Sequence, residues 1–473
     1  MGDQDATASR DPATEEAMIA AWLESELGCE DVTVHRMRRW RPILSAEFTR
    51  NGSPGKVFLK GERSWPTHPY PLEYERDVQR VLFENGTRVP EILGWIPDPK
   101  IIVMEWVEGG RDAGLMQEAI ENGSVMNDDR WQASLRYMEL LAELHAIPVE
   151  RFVEAGAEMP QDNAALMLAN FERFHAMSDD LGLTDPFIAF MSRWLRRNIP
   201  ENRAGTVFLT GDCGQFLADG PDITCLMDFE IGHIGDPMRD LACYRGRHPI
   251  EDMGDLPALF RQYEAASGKP LDWQAMAYHT VSFLAEAYYG PYFGLFDKGP
   301  GGDWVEGHVQ VSVIGRRCLE ALAEIADISL DEIELPPAEP TPLEDLALTR
   351  LEIDIRRLPE HAQLQDWQRG ILASVPQMLR QIGHYRRWMD TEYCKDVGAL
   401  TDNDVRTAAQ ADTALLNFVQ SAGPESDASI VRLLHRKLLR NCLVIAGENP
   451  PAGHIALAPM EPVLHHVSST VEA

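Results

Sequence analysis

Residues 207–247 constrain this 473-residue chain more tightly than any other stretch. They read VFLTGDCGQFLADGPDITCLMDFEIGHIGDPMRDLACYRGR. Two short, apolar, β-rich runs each end in an aspartate: Asp212 after VFLTG and Asp228 after ITCLM. A DG-type turn at Asp219-Gly220 lies between them. Such a pattern predicts a hairpin that delivers both carboxylates to one side of a cleft. One acid can then meet a hydroxyl nucleophile while the other holds Mg²⁺ on a nucleotide. That division of labour fits phosphoryl transfer, where the protein mainly positions groups and neutralises charge.

The stretch resembles the catalytic and metal-binding loops of the aminoglycoside phosphotransferase family, the small-molecule branch of the protein-kinase-like fold. Thr210-Gly211-Asp212 stands for the family's His-Gly-Asp, and Asp228-Phe229-Glu230 for its Asp-Trp-Glu. Gly235-Asp236-Pro237 and Asp240-Leu241-Ala242 complete the series. Thr210 replaces the histidine, and Gln215 stands where the family has Asn, in a loop two residues shorter. The resemblance spans roughly residues 30–320. It implies an α+β, two-lobed protein-kinase-like fold, with a β-rich N-lobe and a helical C-lobe.

The same resemblance implies roles. Asp212 would accept or orient the proton of the substrate hydroxyl. Asp228 would bind Mg²⁺, with Gln215 assisting through its carbonyl oxygen and Glu230 as a second-metal or water ligand. Lys60, ending the strand-like VFLK, would meet the phosphates of ATP, steadied by Glu75 or, as runner-up, Glu73 on the next helix. Backbone groups of Glu105 and Val107, in MEWVEG, would meet the adenine edge as an inter-lobe hinge. Asp236 would support its loop by hydrogen bonds. Where a glycine-rich phosphate loop is expected, the chain offers Arg38-Arg39-Trp40-Arg41-Pro42. Arg36, Arg38, Arg39 and Arg41 either grip phosphate bidentately or pair with acids on the surface. Plainer readings stand beside these: Lys60 as a strand-end surface lysine, Glu75 as a solvated helix residue, MEWVEG as an ordinary strand ending at a turn. Cys213, beside Asp212, is either a reactive thiol or a small packed side chain.

Composition narrows the partners. A formal charge of −32 argues against nucleic acid and anionic membranes, both of which call for basic surface. It suits either a solvated acidic surface or a cationic substrate. No run approaches the roughly 18 apolar residues of a membrane helix, and the polar, acidic N-terminus is unlike a signal peptide. Seven dispersed cysteines without CxxC spacing fit reduced thiols in a cytoplasm.

Five segments are expected. Residues 1–106 form an N-terminal helix and the β-rich N-lobe, with strands broken at Asn51-Gly52 and Pro54-Gly55. Residues 107–326 form the helical C-lobe with the catalytic hairpin. Residues 327–342, acidic and proline-rich, read as a linker; 343–446 as a helical C-terminal domain; and 447–473 as a poorly ordered tail. Tyr288, Tyr289, Tyr292, Phe293 and Phe296 line a substrate pocket or, at helical spacing, belong to the core.

The functional expectation is an ATP- and Mg²⁺-dependent phosphotransferase acting on a small-molecule hydroxyl. Within the family the chain looks nearest to proteins related to acyl-CoA-dehydrogenase-linked kinase domains, which implies a hydroxyacyl-CoA or other catabolic intermediate. In that case Arg245, Arg247 or the helical insert would supply charge for CoA phosphates. A cationic alcohol such as an aminoglycoside is the alternative acceptor. The competing class is a pseudokinase-like binding module, favoured by Thr210, the short Gln215 loop and the missing glycines. A homodimer through the C-terminal helices is a further expectation.

Overall fold

The structure, a computed structural model, describes residues 11–37, 41–63, 68–111, 126–201, 203, 205–297, 302–358, 363–447 and 455–467. Its first part is a five-stranded antiparallel sheet: β1 (Glu30–Arg36), β2 (Ile43–Arg50), β3 (Ser53–Gly61), β4 (Ile92–Pro97) and β5 (Lys100–Glu105), in the order β1-β2-β3-β5-β4. Asn51 and Gly52 both have positive φ (51° and 75°), and Arg50 pairs with Ser53 across this turn. A two-residue turn with both φ positive matches the twist of the strands it joins, and Asn-Gly adopts it at least cost. Pro54-Gly55 does not break the strand as expected. Both pair within β3, and Phe48 lies so close over Gly55 that a Cβ there would fall 2.4 Å from its ring.

Strand alternation sorts the side chains onto two faces. Val57, Leu59, Ile101 and Val103 pack with Ile19 and Leu23 of α1 (Pro12–Leu27). Ile102 and Met104 face the other way, onto Leu72 of α2 (Leu72–Glu84). Lys60 shares the parity of Phe58, which packs with that second group. Its ammonium therefore emerges on the α2 side of the sheet.

The helical lobe follows: α3 (Asp128–His145), α4 (Val149–Glu154), α5 (Asn163–Leu181), α6 (Pro186–Arg197), α7 (Met238–Arg247), α8 (Leu256–Ser267), α9 (Trp273–Gly294) and α10 (Trp304–Ala326). Asn127, Asp162, Asp185, Asp255, Asp272 and Asp303 cap six of these N-termini through side-chain oxygens. Between α6 and α7 lie four short strands: β7 (Val207–Leu209), β8 (Phe216–Asp219), β9 (Asp222–Leu226) and β10 (His233–Gly235). β6 (Gly110–Arg111) adds to the edge of β8. This is the two-lobed α+β architecture expected, a β-rich lobe followed by a helical one.

The expected hairpin is wrong in one respect. The strand before Asp212 does not pair with the strand before Asp228. β7 pairs with β10, and the hairpin at Asp219-Gly220 joins β8 to β9. Residues 210–215 form a separate loop, because Gly211 (φ 83°) and Gly214 (φ 94°) leave the extended conformation. Gly211 is also a close approach: a Cβ there would sit 2.4 Å from the Ile231 carbonyl oxygen.

Residues 327–341 carry no regular element. After them come α11 (Pro342–Arg356), α12 (Gln363–Thr401), α13 (Ala408–Ser421) and α14 (Asp427–Ala446). Tyr393, Leu415, Ile430, Leu434 and Leu438 join the same hydrophobic cluster as the C-lobe, so these helices extend its core. The tail reading fails for residues 455–467. Ile455, Ala456 and Val463 are buried, and the wholly buried Arg245 donates to the Glu461 carbonyl at 2.7 Å and pairs with Glu324 at 2.6 Å. Of the aromatic group, Tyr288, Tyr289, Tyr292 and Phe293 of α9 are core, and Phe296, past the end of that helix, is exposed.

Candidate active site

The two lobes meet at a cluster of six charged side chains. Lys60 is paired with Glu75 of α2 and also donates to Asp228 Oδ1 at 2.7 Å. Lys60 and Glu75 are only 6% and 2% exposed. Glu75 thus takes the position beside the lysine; Glu73, the runner-up, pairs instead with Lys100 at 3.2 Å near the surface. The Tyr74 hydroxyl donates to the Gly232 carbonyl at 2.8 Å, fixing α2 against the loop that carries Asp228. Arg88, just past α2, receives the Leu226 N–H at 2.6 Å and donates to the Ile223 carbonyl at 2.9 Å. The sheet, α2 and β9 are therefore registered to each other by backbone as well as by charge.

Asp228 stands at the end of β9 with φ 68°, and its side chain is 28% exposed. A non-glycine residue held in the left-handed region is unusual, and such strain concentrates at functional positions. Glu230, two residues on, is paired with both Arg41 and Arg63. Burial alone would raise the Glu230 carboxyl; Arg63 and Arg41 overcome that and hold it down to about 2.

Asp212 lies in the 210–215 loop. It accepts from Arg247 Nη2 at 2.6 Å on Oδ1 and from Gln215 Nε2 at 2.5 Å on Oδ2. The Met227 N–H donates to the Gln215 carbonyl at 3.1 Å, which sets the Asp212 and Asp228 loops side by side. Gln215 therefore sits between the two acids despite the shortened loop.

Beneath Asp212 lies a second, wholly buried carboxylate. Asp240 Oδ2 accepts the Thr210 N–H at 2.8 Å, the Thr210 hydroxyl at 3.0 Å and His145 Nε2 at 3.2 Å; Oδ1 accepts the Gly211 N–H at 3.2 Å. His145 Nδ1 bonds the Tyr263 hydroxyl at 2.8 Å. Burial pushes Asp240 up, but His145 and the Thr210 N–H outweigh it and hold the carboxyl below its usual range. Thr210, in place of a histidine, contributes two of the donors that tie the loop down. Asp236 lies in a similar support: it accepts from Arg203 Nε at 2.6 Å and from the Met238 N–H at 2.8 Å.

One face of α7 organises all of this. Asp240, Cys243, Tyr244 and Arg247 recur at helical spacing. Asp240 binds the loop backbone, Cys243 Sγ accepts the Cys213 N–H at 3.1 Å, Tyr244 stacks on Tyr137, and Arg247 reaches Asp212. The Tyr137 hydroxyl in turn accepts the Gly214 N–H at 2.8 Å. Sequence reasoning matched Asp240 only as part of a motif and missed His145, Tyr263, Arg63 and the part Arg247 plays at Asp212. The 240/243/244/247 spacing was the signal that could have found the α7 set. Cys213 is fully buried and burial pushes its thiol well up, so it is a packing residue.

The segment proposed as a hinge connects the sheet to the helical lobe. The Glu105 N–H donates to the Glu91 carbonyl at 2.9 Å, and Val107 lies in the extended link between β5 and β6. Of the four arginines considered for phosphate, Arg38 and Arg39 lie outside the described residues. Arg36 pairs with Glu15 of α1 at 3.9 Å, and Arg41 pairs with Glu230 in the cleft.

Among the described residues, no three of His, Cys, Asp and Glu gather as a metal cage. Mg²⁺ does not need one: it is usually held by one or two carboxylates together with substrate phosphates. Asp228, partly exposed, with Gln215 and Glu230 near it, offers hard oxygen ligands of that kind.

Residues 66–279 match the family model described as phosphotransferase enzyme family, APH. No curated protein matches the chain significantly. Similar solved structures include the macrolide 2′-phosphotransferase of Brachybacterium faecium, at 15% identity and TM-score 0.44, covering 63% of this chain and 97% of that one. Another is an ethanolamine kinase of Plasmodium vivax, at 10% identity and TM-score 0.47, covering 64% and 89%. A third is a thermostable aminoglycoside phosphotransferase mutant with ADP and hygromycin B, at 15% identity and TM-score 0.41, covering 63% and 97%. Over residues 66–279 the chain is similar to the phosphotransferase enzyme family.

Proposed function

We propose that this chain transfers a phosphoryl group from ATP, with Mg²⁺, to the hydroxyl of a small molecule. The observation that carries this reading is the joining of Lys60 to both Glu75 and Asp228, across two lobes and 168 positions of sequence. In this reading Lys60 meets the nucleotide phosphates, and Glu75 keeps it aimed. Asp228, Gln215 and Glu230 hold Mg²⁺, which neutralises charge on the transferring group. Glu105 and Val107 present backbone groups to the adenine. Asp212 receives or orients the hydroxyl proton.

The acceptor is proposed as a small alcohol. A hydroxyacyl-CoA loses part of its support, because Arg245 is buried against Glu461 and Glu324, and Arg247 is committed to Asp212 and Glu251. A cationic or neutral alcohol fits an acidic chain better. Seven free cysteines suit a reducing compartment, in keeping with a cytoplasmic location. Among the described residues no helix is long and apolar enough to cross a membrane. A pairing of two copies through α11 and α12 is part of the proposal.

The test is a thermal melt with ATP and Mg²⁺, on wild type and on Asp228→Asn. A ligand at 100 times its Kd stabilises the folded state by about 2.7 kcal/mol. The expected rise in Tm disappears in Asp228→Asn. No rise in the wild type at any nucleotide concentration would sink the reading and turn attention to a pseudokinase-like module.

A further inference from the structure

The connection between β1 and β2, residues 37–42, contains no glycine in its sequence. A backbone cradle needs glycine to let main-chain N–H groups come close to phosphate. At the end of this connection stands Arg41, buried, paired with Glu230 and 3.4 Å from the Gly61 carbonyl. Arg63 follows Lys60 by three residues, off the end of the same strand, and is paired with the same carboxylate.

Resting on the phosphotransferase reading above, we propose that Arg41 and Arg63 are the phosphate grip of this site, and that Glu230 latches them in the nucleotide-free chain. Three cations, Lys60, Arg41 and Arg63, here face three carboxylates, Glu75, Asp228 and Glu230. The set is balanced without ligand. A Mg²⁺-nucleotide brings both kinds of partner at once: phosphate oxygens for the guanidiniums and a cation for the carboxylates. Each planar guanidinium can then bind phosphate bidentately, which suits arginine better than lysine.

Arg41, Arg63, Glu75 and Glu230 line a cavity of about 20 Å³. That is room for one water molecule, not for a phosphoryl group. For the two guanidiniums to grip a phosphate they leave Glu230. This links phosphate binding to release of a carboxylate that itself lies two residues from Asp228.

The experiment compares affinities, by calorimetry, for ATP, ADP and adenosine with Mg²⁺ on wild type, Arg41→Gln, Arg63→Gln and Arg41→Lys. The proposal expects each Gln variant to bind ATP and ADP about tenfold or more weakly while adenosine binding is unchanged. Arg41→Lys, which keeps the charge and loses the fork, recovers only part of the loss. Glu230→Gln, measured with ATP in the absence of Mg²⁺, binds more tightly than wild type because the latch is open. Equal weakening of ATP and adenosine, or no change in either, overturns the phosphate grip while leaving the nucleotide site standing. A wild type that binds neither ATP nor adenosine overturns the phosphotransferase reading itself and the grip with it.

Discussion

Arg247 Nη2 donates to Asp212 Oδ1 at 2.6 Å, while its Nη1 donates to Glu251 at 2.7 Å. The proposed proton acceptor is thus held by a guanidinium that is itself anchored from behind. Both Asp212 and Glu251 raise the Arg247 guanidinium against the opposing effect of burial, so it stays charged. Arg247 acts here as a positioning residue. Arg247→Gln is expected to lower kcat by about 10²-fold with KM little changed, since small misplacements of a reacting group cost that much. Asp212→Asn should cost about 10²–10⁴-fold. In the double variant the two losses should not add, because one residue acts through the other. Steady-state kinetics on the four proteins checks this; additive losses would show that Arg247 works independently of Asp212.

Asp240→Asn attacks the layer beneath. Asn keeps the shape but presents an amide N–H₂ to donors that need an acceptor, so it strands at least one of Thr210 N–H, Gly211 N–H and His145. A loss of about 3 kcal/mol of stability is expected. There is a pH signature as well. The unfolded carboxyl titrates near 3.8 and the folded one lower, so below that value the unfolded chain binds more protons. Its stabilisation is therefore full above the unfolded value and drains as pH falls through the folded one. Denaturant titrations of the wild type below about pH 4 should steepen in pH dependence, and those of Asp240→Asn should be flatter there. Identical acid limbs in the two proteins would contradict the assignment of Asp240 as a stabilising anion.

Much of this site is legible along the chain, and the reason is local. Lys60 ends an alternating strand after an Asn-Gly turn, α2 has a clear apolar face, and both aspartates close apolar runs. What could not be read was long-range partner choice. Arg63 and Glu230 are 167 positions apart, and nothing near either residue names the other. The strand pairing misled for a similar reason. β7 and β9 look like neighbours in sequence, but the glycines at 211 and 214 turn the chain away, and β7 finds β10 instead. The final segment read as a tail because it is short and rich in proline. Its anchor, Arg245, sits more than two hundred residues earlier.

Cysteine reactivity separates packing from chemistry at the loop. Cys213 and Cys243 are fully buried, with thiols pushed well up by burial, and Cys225 is pushed up to about 12. Only thiolates react readily. A disulfide reagent on the native protein should therefore modify Cys394, the one partly exposed cysteine, and reach all seven only after unfolding. The fast phase should vanish in Cys394→Ser. Rapid native modification of Cys213 would restore it as a reactive thiol.

The last prediction concerns the face left by α11. This 15-residue helix buries none of its own residues fully. On one side Asp345, Thr349 and Glu352 reach His384, Arg380 and Gln377 of α12. On the other, Leu343 and Leu346 are 83% and 68% exposed, with Leu351, Leu358 and, on α12, Leu372 also in solvent. Apolar surface gathered in this way on an otherwise charged chain marks an interaction site. Charge points to the partner. Residues 342–401 carry eight basic and nine acidic side chains, so this hairpin is nearly neutral in a chain of net −32. Two copies can meet here with far less repulsion than across any acidic face. Sedimentation or light scattering should give twice the 53.1 kDa chain mass at micromolar concentration, and Leu343→Glu with Leu346→Glu should return the single-chain mass. Raising the salt should leave the dimer intact, since apolar burial rather than ion pairing holds it. A species of 53.1 kDa at every concentration tested would remove the second copy as occupant of this face.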